Sequence, residues 1–214
     1  MEERVGLKES QRVAKNILDV IVKICNKFNL RYYLFYGTLI GAIRHQDFIP
    51  WDDDLDIIMP REDYNRFVYM VHDDPNLLEG LQLFDPVLSK KYPYMIGRVS
   101  DPKYKIIMDN ENPYGMGLFV DIYPFDGLGN NWRSAYRLGL KGDRLSSLCY
   151  QSTRKKCKIE VTTSLFRKII KYPVFKISKI IGVDYFKTKI FELEKNNKFT
   201  FDNSDYVGCL VWLA

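Results

Sequence analysis

Four aspartates, Asp52, Asp53, Asp54 and Asp56, fall within five positions of the segment WDDDLDIIMP. Positions 54–58 alternate charged and apolar residues, which predicts a strand with one polar face. Asp54 and Asp56, two apart, then project from the same face. Carboxylates held side by side repel unless a cation lies between them, and an all-oxygen set of this kind suits Mg²⁺ or Mn²⁺. A solvated acidic turn is the plainer alternative. The run continues into Ile57, Ile58 and Met59, so the cluster enters a core, which favours the metal. Pro50 and Trp51 are expected to fix the approaching loop that carries Asp52 and Asp53. GLFVDIYPFDGL offers a third carboxylate, Asp121, flanked by Phe119, Val120 and Ile122. An aspartate in such company is costly unless paired or metal-bound. Asp126, beyond Pro124, reads as a turn residue.

Upstream, Tyr36-Gly37-Thr38 reads as a strand-to-helix turn. Glycine lets backbone approach a ligand closely, and the N–H groups that open a helix favour a phosphate. A turn glycine alone is a weak signal; ahead of Asp-x-Asp, the order resembles that of nucleotidyltransferase-type sites. Arg44, His45, Arg61 and Arg98 are candidate phosphate or nucleotide ligands, since arginine clamps phosphate oxygens bidentately. For each arginine a surface salt bridge is the competing reading, and a lone histidine is more often structural.

These residues need elements to position them. Residues 8–28 carry Val13, Ile17, Val20, Ile21 and Ile24 at helical spacing. Tyr32–Tyr36 reads as a short buried strand, Thr38–Arg44 as a helix, 54–58 as a strand closed by Pro60, and 61–71 as a helix. LQLFD, YMIGRVS and KYKIIMD are predicted as short strands of a meander, and GLFVDIYPFDGL as a buried strand ended by Pro124. From 131 onward the period is helical, in 131–151, 163–182 and 184–199. The expected class is α+β (α/β): a mixed sheet with flanking helices over 1–130, then a helical region over 131–214. The ending YVGCLVWLA is an apolar run without a polar cap, so further C-terminal residues are expected.

Hydrophobic residues make up 46% and charged residues 28%, ordinary globular usage that excludes disordered and collagen-like chains. Four cysteines without a CxxC pair argue against a zinc knuckle or disulfide framework. No apolar run is long enough to cross a membrane, and the polar N-terminus lacks a signal-peptide stretch. A cytoplasmic protein is expected, with peripheral contact at the inner face of the membrane. Residues 154–198 hold 13 Lys/Arg and 4 Asp/Glu, whereas residues 1–153 hold 19 against 21. The half with the carboxylates is therefore net acidic, which disfavours nucleic acid as a partner. The basic segment 164–182 pairs isoleucines with lysines; packing of its apolar face on the rest of the protein, with Pro173 a break between two helices, is the plainer reading, and contact with an anionic membrane is the alternative.

YGTLIGAIRHQDFIPWDDDLDIIMPREDYNRF, with GRVSD and GLFVDIYPFDGL, resembles the signature of the LicD/fukutin/fukutin-related family, within the nucleotidyltransferase-fold superfamily. The resemblance is close over about 30–75 and loose in the helical region. It implies a nucleotidyltransferase-like fold and a metal-dependent phosphotransferase using a CDP-alcohol donor, CDP-choline first among them. The implied acceptor is a cell-surface glycan or lipid-linked glycan, as in teichoic acid, capsule or lipopolysaccharide; animal relatives transfer ribitol phosphate. By motif, Asp54 and Asp56 match the metal-binding pair, Asp121 the third acid, and Gly37 and Thr38 the phosphate-side turn. An adenylylating nucleotidyltransferase would use the same carboxylates. A catalytically inactive membrane-surface scaffold is the non-enzymatic alternative.

Overall fold

The structure is a computed structural model, describing residues 4–157 and 165–211 of the 214. It is a mixed α+β fold that divides into two compact units, each assembled from three stretches of chain. The first comprises Met1–Asp85, Ile96–Ile106 and Gly115–Asp126; the second comprises Pro86–Met95, Ile107–Tyr114 and Gly127–Ala214.

In the first unit, α1 (Leu7–Phe28) buries Val13, Ile17, Val20, Ile21 and Ile24, the stripe its spacing predicts. Asn29 ends it in the left-handed region at φ 52°, returning its N–H to Cys25 O. Then follow β1 (Tyr33–Leu34), α2 (Tyr36–Arg44), β2 (Asp56–Pro60), α3 (Arg61–Asp73), β3 (Gln82–Phe84), β4 (Gly97–Asp101) and β5 (Leu118–Gly129). The strands lie in the order β1-β2-β5-β4-β3. β2 and β5 are parallel, whereas β1–β2, β3–β4 and β4–β5 are antiparallel. The parallel pair explains the apolar run of β2, because parallel strands are covered on both faces. Ile57, Met59, Val99, Val120 and Ile122 are fully buried there, and each such side chain contributes about 1.5–3 kcal/mol.

In the second unit, α4 (Trp132–Thr153) opens on Asn131, whose side chain accepts the Ser134 N–H. It packs against α5 (Leu165–Ile181) and α6 (Val183–Asn196). Gly142 lets the chain at Leu210 cross α4 closely, since a Cβ there would collide with Leu210 O. β6 (Tyr206–Gly208) pairs with β5, whose last residues, 127–129, belong to this unit. Ser164, the side chains of Leu165, Phe166, Arg167, Lys168 and Ile169, and the last three residues of the apolar tail lie outside the described residues.

Five local expectations are corrected. Residues 103–109 form no strand: the Asp101 carboxylate accepts the Lys103 N–H, and the turn around Pro102 leads the chain away from the sheet. The strand with Asp121 does not stop at Pro124, because its pairing with β4 ends at Ile122 and the missing N–H costs no bond on that side. Asp126 is therefore a buried strand residue and not part of a turn. α5 runs unbroken through Pro173, which sits on the exposed side, where water can solvate the carbonyl it releases. Trp51 is 78% exposed and anchors nothing by burial. The loop is held instead by Gln11, which donates to Asp52 O at 2.8 Å, and by close passage of residues 47–49 over Gly41.

Candidate functional site

Asp56, Asp121 and Arg98 form one cross-strand row. Asp56 of β2 is in register with Asp121 of β5, and Asp121 with Arg98 of β4. Side chains opposite each other in adjacent strands share a face, so three residues far apart in sequence meet on one surface of the sheet. Arg98 Nε donates to Asp121 Oδ1 at 2.6 Å and Nη2 approaches Oδ2 at 3.5 Å. The Arg98 guanidinium also lies 4.2 Å from the ring of Phe119.

Asp54 lies just before β2, which begins two residues later than its alternation predicts. It stands exposed on the loop and acts on Asp56 and Asp121 through its charge. The Asp52, Asp53 and Asp54 carboxylates each offer an oxygen within 4.8 Å of the others. Asp52 and Asp53 are thus further oxygen donors that the strand argument left on the approach loop. Their adjacency in sequence was the available signal.

The start of α2 fixes where β2 begins. The Asp56 N–H donates to Thr38 Oγ1 at 2.8 Å, and Asp56 O accepts the Phe35 N–H at 3.0 Å. Thr38 is buried, so its hydroxyl holds the strand that presents Asp56. At Gly37 a Cβ would collide with Asp52 Oδ2. Glycine there gives the Asp52 carboxylate room beside the first turn of α2, an end that attracts anions. Gly37, Thr38, Asp52 and Asp54 border a cleft of about 390 Å³, with Lys15 and Gln46 among its other lining residues.

The remaining candidates are elsewhere. Arg44 and His45 end α2 in exposed positions, about 9 Å along the axis from Thr38 at 1.5 Å per residue. Arg61 forms a two-pronged ion pair with Asp126, both bonds at 2.8 Å.

The electrostatics single out the row. Burial pushes the Asp56 carboxyl up to about 7, assisted by Asp121, Asp54 and Asp52 and opposed by Arg98. Burial likewise raises Asp54, with Asp53, Asp121 and Asp52 adding to the effect. Asp121 is raised by burial despite Arg98. Tyr123, two residues beyond Asp121, is raised by burial and by both aspartates. Its ring meets Tyr36 edge-on at 5.8 Å. Sequence reasoning passed over Tyr123, and only its i+2 spacing from Asp121 marked it.

A cluster with more negative charge than its one arginine balances, made of hard oxygen donors, fits a divalent cation. Among the described residues, the three carboxylates whose oxygens lie close enough together to share an ion are Asp52, Asp53 and Asp54. The expected set of Asp54, Asp56 and Asp121 is not gathered that closely, so Asp56 and Asp121 would join as further donors. Such an ion beside the α2 N-terminus would serve a phosphate-bearing ligand.

A family model described as the LicD/FKTN/FKRP nucleotidyltransferase domain matches residues 29–137. The chain is 33% identical over 156 residues to the lipopolysaccharide cholinephosphotransferase LicD of Haemophilus influenzae, covering 72% of this chain and 57% of that protein. Over 52 residues it is 38% identical to human ribitol 5-phosphate transferase FKRP, covering 24% of this chain and 10% of that one. Over 45 residues it is 49% identical to an uncharacterised Rickettsia typhi protein, covering 21% and 15%. The chain thus spans little more than half the length of the Haemophilus relative. The family model covers more than half of the chain, the site row included, and the chain belongs to the LicD/FKTN/FKRP family.

Proposed function

We propose that this chain is a metal-dependent phosphotransferase that moves an alcohol phosphate from a CDP-alcohol to a cell-surface glycan. The observation that carries the reading is the Asp56–Asp121–Arg98 row beside the glycine turn of α2. Membership of a family whose relatives include a cholinephosphotransferase and a ribitol 5-phosphate transferase supports it. CDP-choline is the first donor to test, and Mg²⁺ the first cation.

Bound at Asp52, Asp53 and Asp54, with Asp56 and Asp121 as further donors, the cation would neutralise charge on the donor's phosphates. The chain's own work is positioning. The α2 N-terminus and Gly37 receive the diphosphate. Arg98 holds Asp121 Oδ1 tightly and Oδ2 loosely, which leaves Oδ2 to take the proton of the acceptor hydroxyl. The new bond joins that hydroxyl oxygen to the β-phosphorus, and the bond from the β-phosphorus to the bridging oxygen breaks. CMP leaves with that oxygen.

The test is CMP release and acceptor labelling with CDP-choline, CDP-ribitol and CDP-glycerol, with and without Mg²⁺. The reading expects Mg²⁺-dependent CMP release that Asp56→Asn abolishes. Transfer of the CMP moiety itself to the acceptor would overturn it, as would use of ATP in place of every CDP-alcohol.

A further inference from the structure

We propose that the exposed stripe of α5 docks on an anionic lipid bilayer. Within the second unit α5 packs on α4, and Phe175 and Ser178 are buried. At about 100° per residue, Ile170, Pro173, Ile177, Ile180 and Ile181 gather on the other side of the helix. There the structure leaves Ile180 83% and Ile177 54% exposed, with Ile170 and Ile181 exposed as well. An amphipathic helix normally turns its isoleucines inward, whereas α5 presents four of them outward among the described residues.

The stripe is bordered by cations. Lys176 and Lys179 follow it around the helix, both exposed, together with exposed Tyr172. The Lys176 ammonium lies 5.6 Å from the ring centre of Tyr172, and that of Lys179 lies 5.4 Å from Phe175. Ammonium groups set over aromatic rings, with the charge at the edge of an apolar strip, suit the boundary between headgroups and acyl chains. A soluble polyanion would use the lysines and leave the isoleucines in water. A second copy of the chain would cover the isoleucines but bring like charges together. An anionic bilayer satisfies both. No helix among the described residues is long and apolar enough to cross a membrane, so α5 would lie on the surface.

The test is sedimentation of the full chain with phosphatidylcholine vesicles, with and without phosphatidylglycerol, at low and high salt. It needs no donor or acceptor, so it stands apart from the transfer reaction. The expected result is binding to the phosphatidylglycerol vesicles that weakens with salt. At about fivefold per lysine, the double variant Lys176→Gln/Lys179→Gln should bind more than about tenfold more weakly. Ile177→Ser/Ile180→Ser should lose binding even at low salt with unchanged far-UV circular dichroism, because both side chains are exposed. Absence of binding by the unaltered chain overturns the proposal, and so does full binding by the isoleucine variant. Self-association that the isoleucine variant abolishes, without vesicle binding, assigns the stripe to a second copy and also overturns it.

Discussion

Asp121 and Glu111 keep 14% and 19% of their side chains exposed, and each binds an arginine, Arg98 and Arg154 respectively. Around Glu111, in the second unit, burial pushes the carboxyl up. The hydroxyls of Tyr150 and Tyr94 and the Arg154 guanidinium outweigh that and hold it below the usual glutamate range. The Arg154 guanidinium also stacks 4.5 Å from the Tyr150 ring, which closes the network. Around Asp121, in the first unit, burial prevails over Arg98, and Asp56 nearby is raised by burial and by three other aspartates. Similar exposure hides a difference in depth, for Asp121 lies deeper within the protein than Glu111. The number of donors and cations set against each carboxylate separates the two regions further. One region is a charge-balanced brace between segments of its unit; the other holds an excess of negative charge that a bound cation would relieve.

Four experiments can break that contrast or sharpen it. The largest effect is expected from Asp56→Asn, which should lower transfer by about 10²–10³-fold or more. Its melting temperature should hold or rise, since a repelled buried charge is removed. Near-normal Mg²⁺-dependent turnover in this variant would end the distinction. Glu111→Gln should do the reverse. It strips Arg154 of its counter-charge and should cost about 3 kcal/mol in urea unfolding, with turnover per folded molecule within a few-fold of normal.

The third effect is one of pH. Unfolded Asp56 ionises near about 3.9, whereas in the fold it does so at about 7. Between those values the folded state carries the extra proton, so metal-free protein loses stability as pH rises from about 4 to about 7 and is level above that. Allowing for solvent screening, the loss should be about 2 kcal/mol. Mg²⁺ should restore it at pH 8 and do nothing at pH 4, as read from melting curves. A metal-free melting temperature that climbs over this range would contradict the charge excess.

The smallest effect concerns Gly37→Ala. The new Cβ displaces Asp52 Oδ2, the mobile end of a side chain, so stability should move by less than about 0.5 kcal/mol. Turnover should fall by about tenfold if the glycine turn receives the donor. Unchanged turnover would move the phosphates away from α2.

Elements whose pattern repeats at short range were legible before the fold was known. The stripe of α1, the helix after Pro60, and the apolar setting of Asp121 all rest on spacings within one segment. The ends of β5 and α5 were not, because Pro124 and Pro173 punctuate a sequence without revealing whether a partner strand or water makes the missing bond unnecessary. Arg61 and Arg98 looked alike as candidates. Only the fold directs one to Asp126 and sets the other in the row with Asp121 and Asp56. The isoleucines of α5 likewise fitted a buried face, the plainer reading, or a membrane face, until packing on α4 chose Phe175 and Ser178 for the interior.

By itself, then, the sequence determined which carboxylates this protein concentrates, the helices that flank them and the family it resembles, since these depend on residue type and local period. Tertiary structure decided which charges are balanced and which are left in excess. That depends on strand register, which brings Asp56, Asp121 and Arg98 side by side across separations of 23 to 65 residues, and no local pattern encodes it.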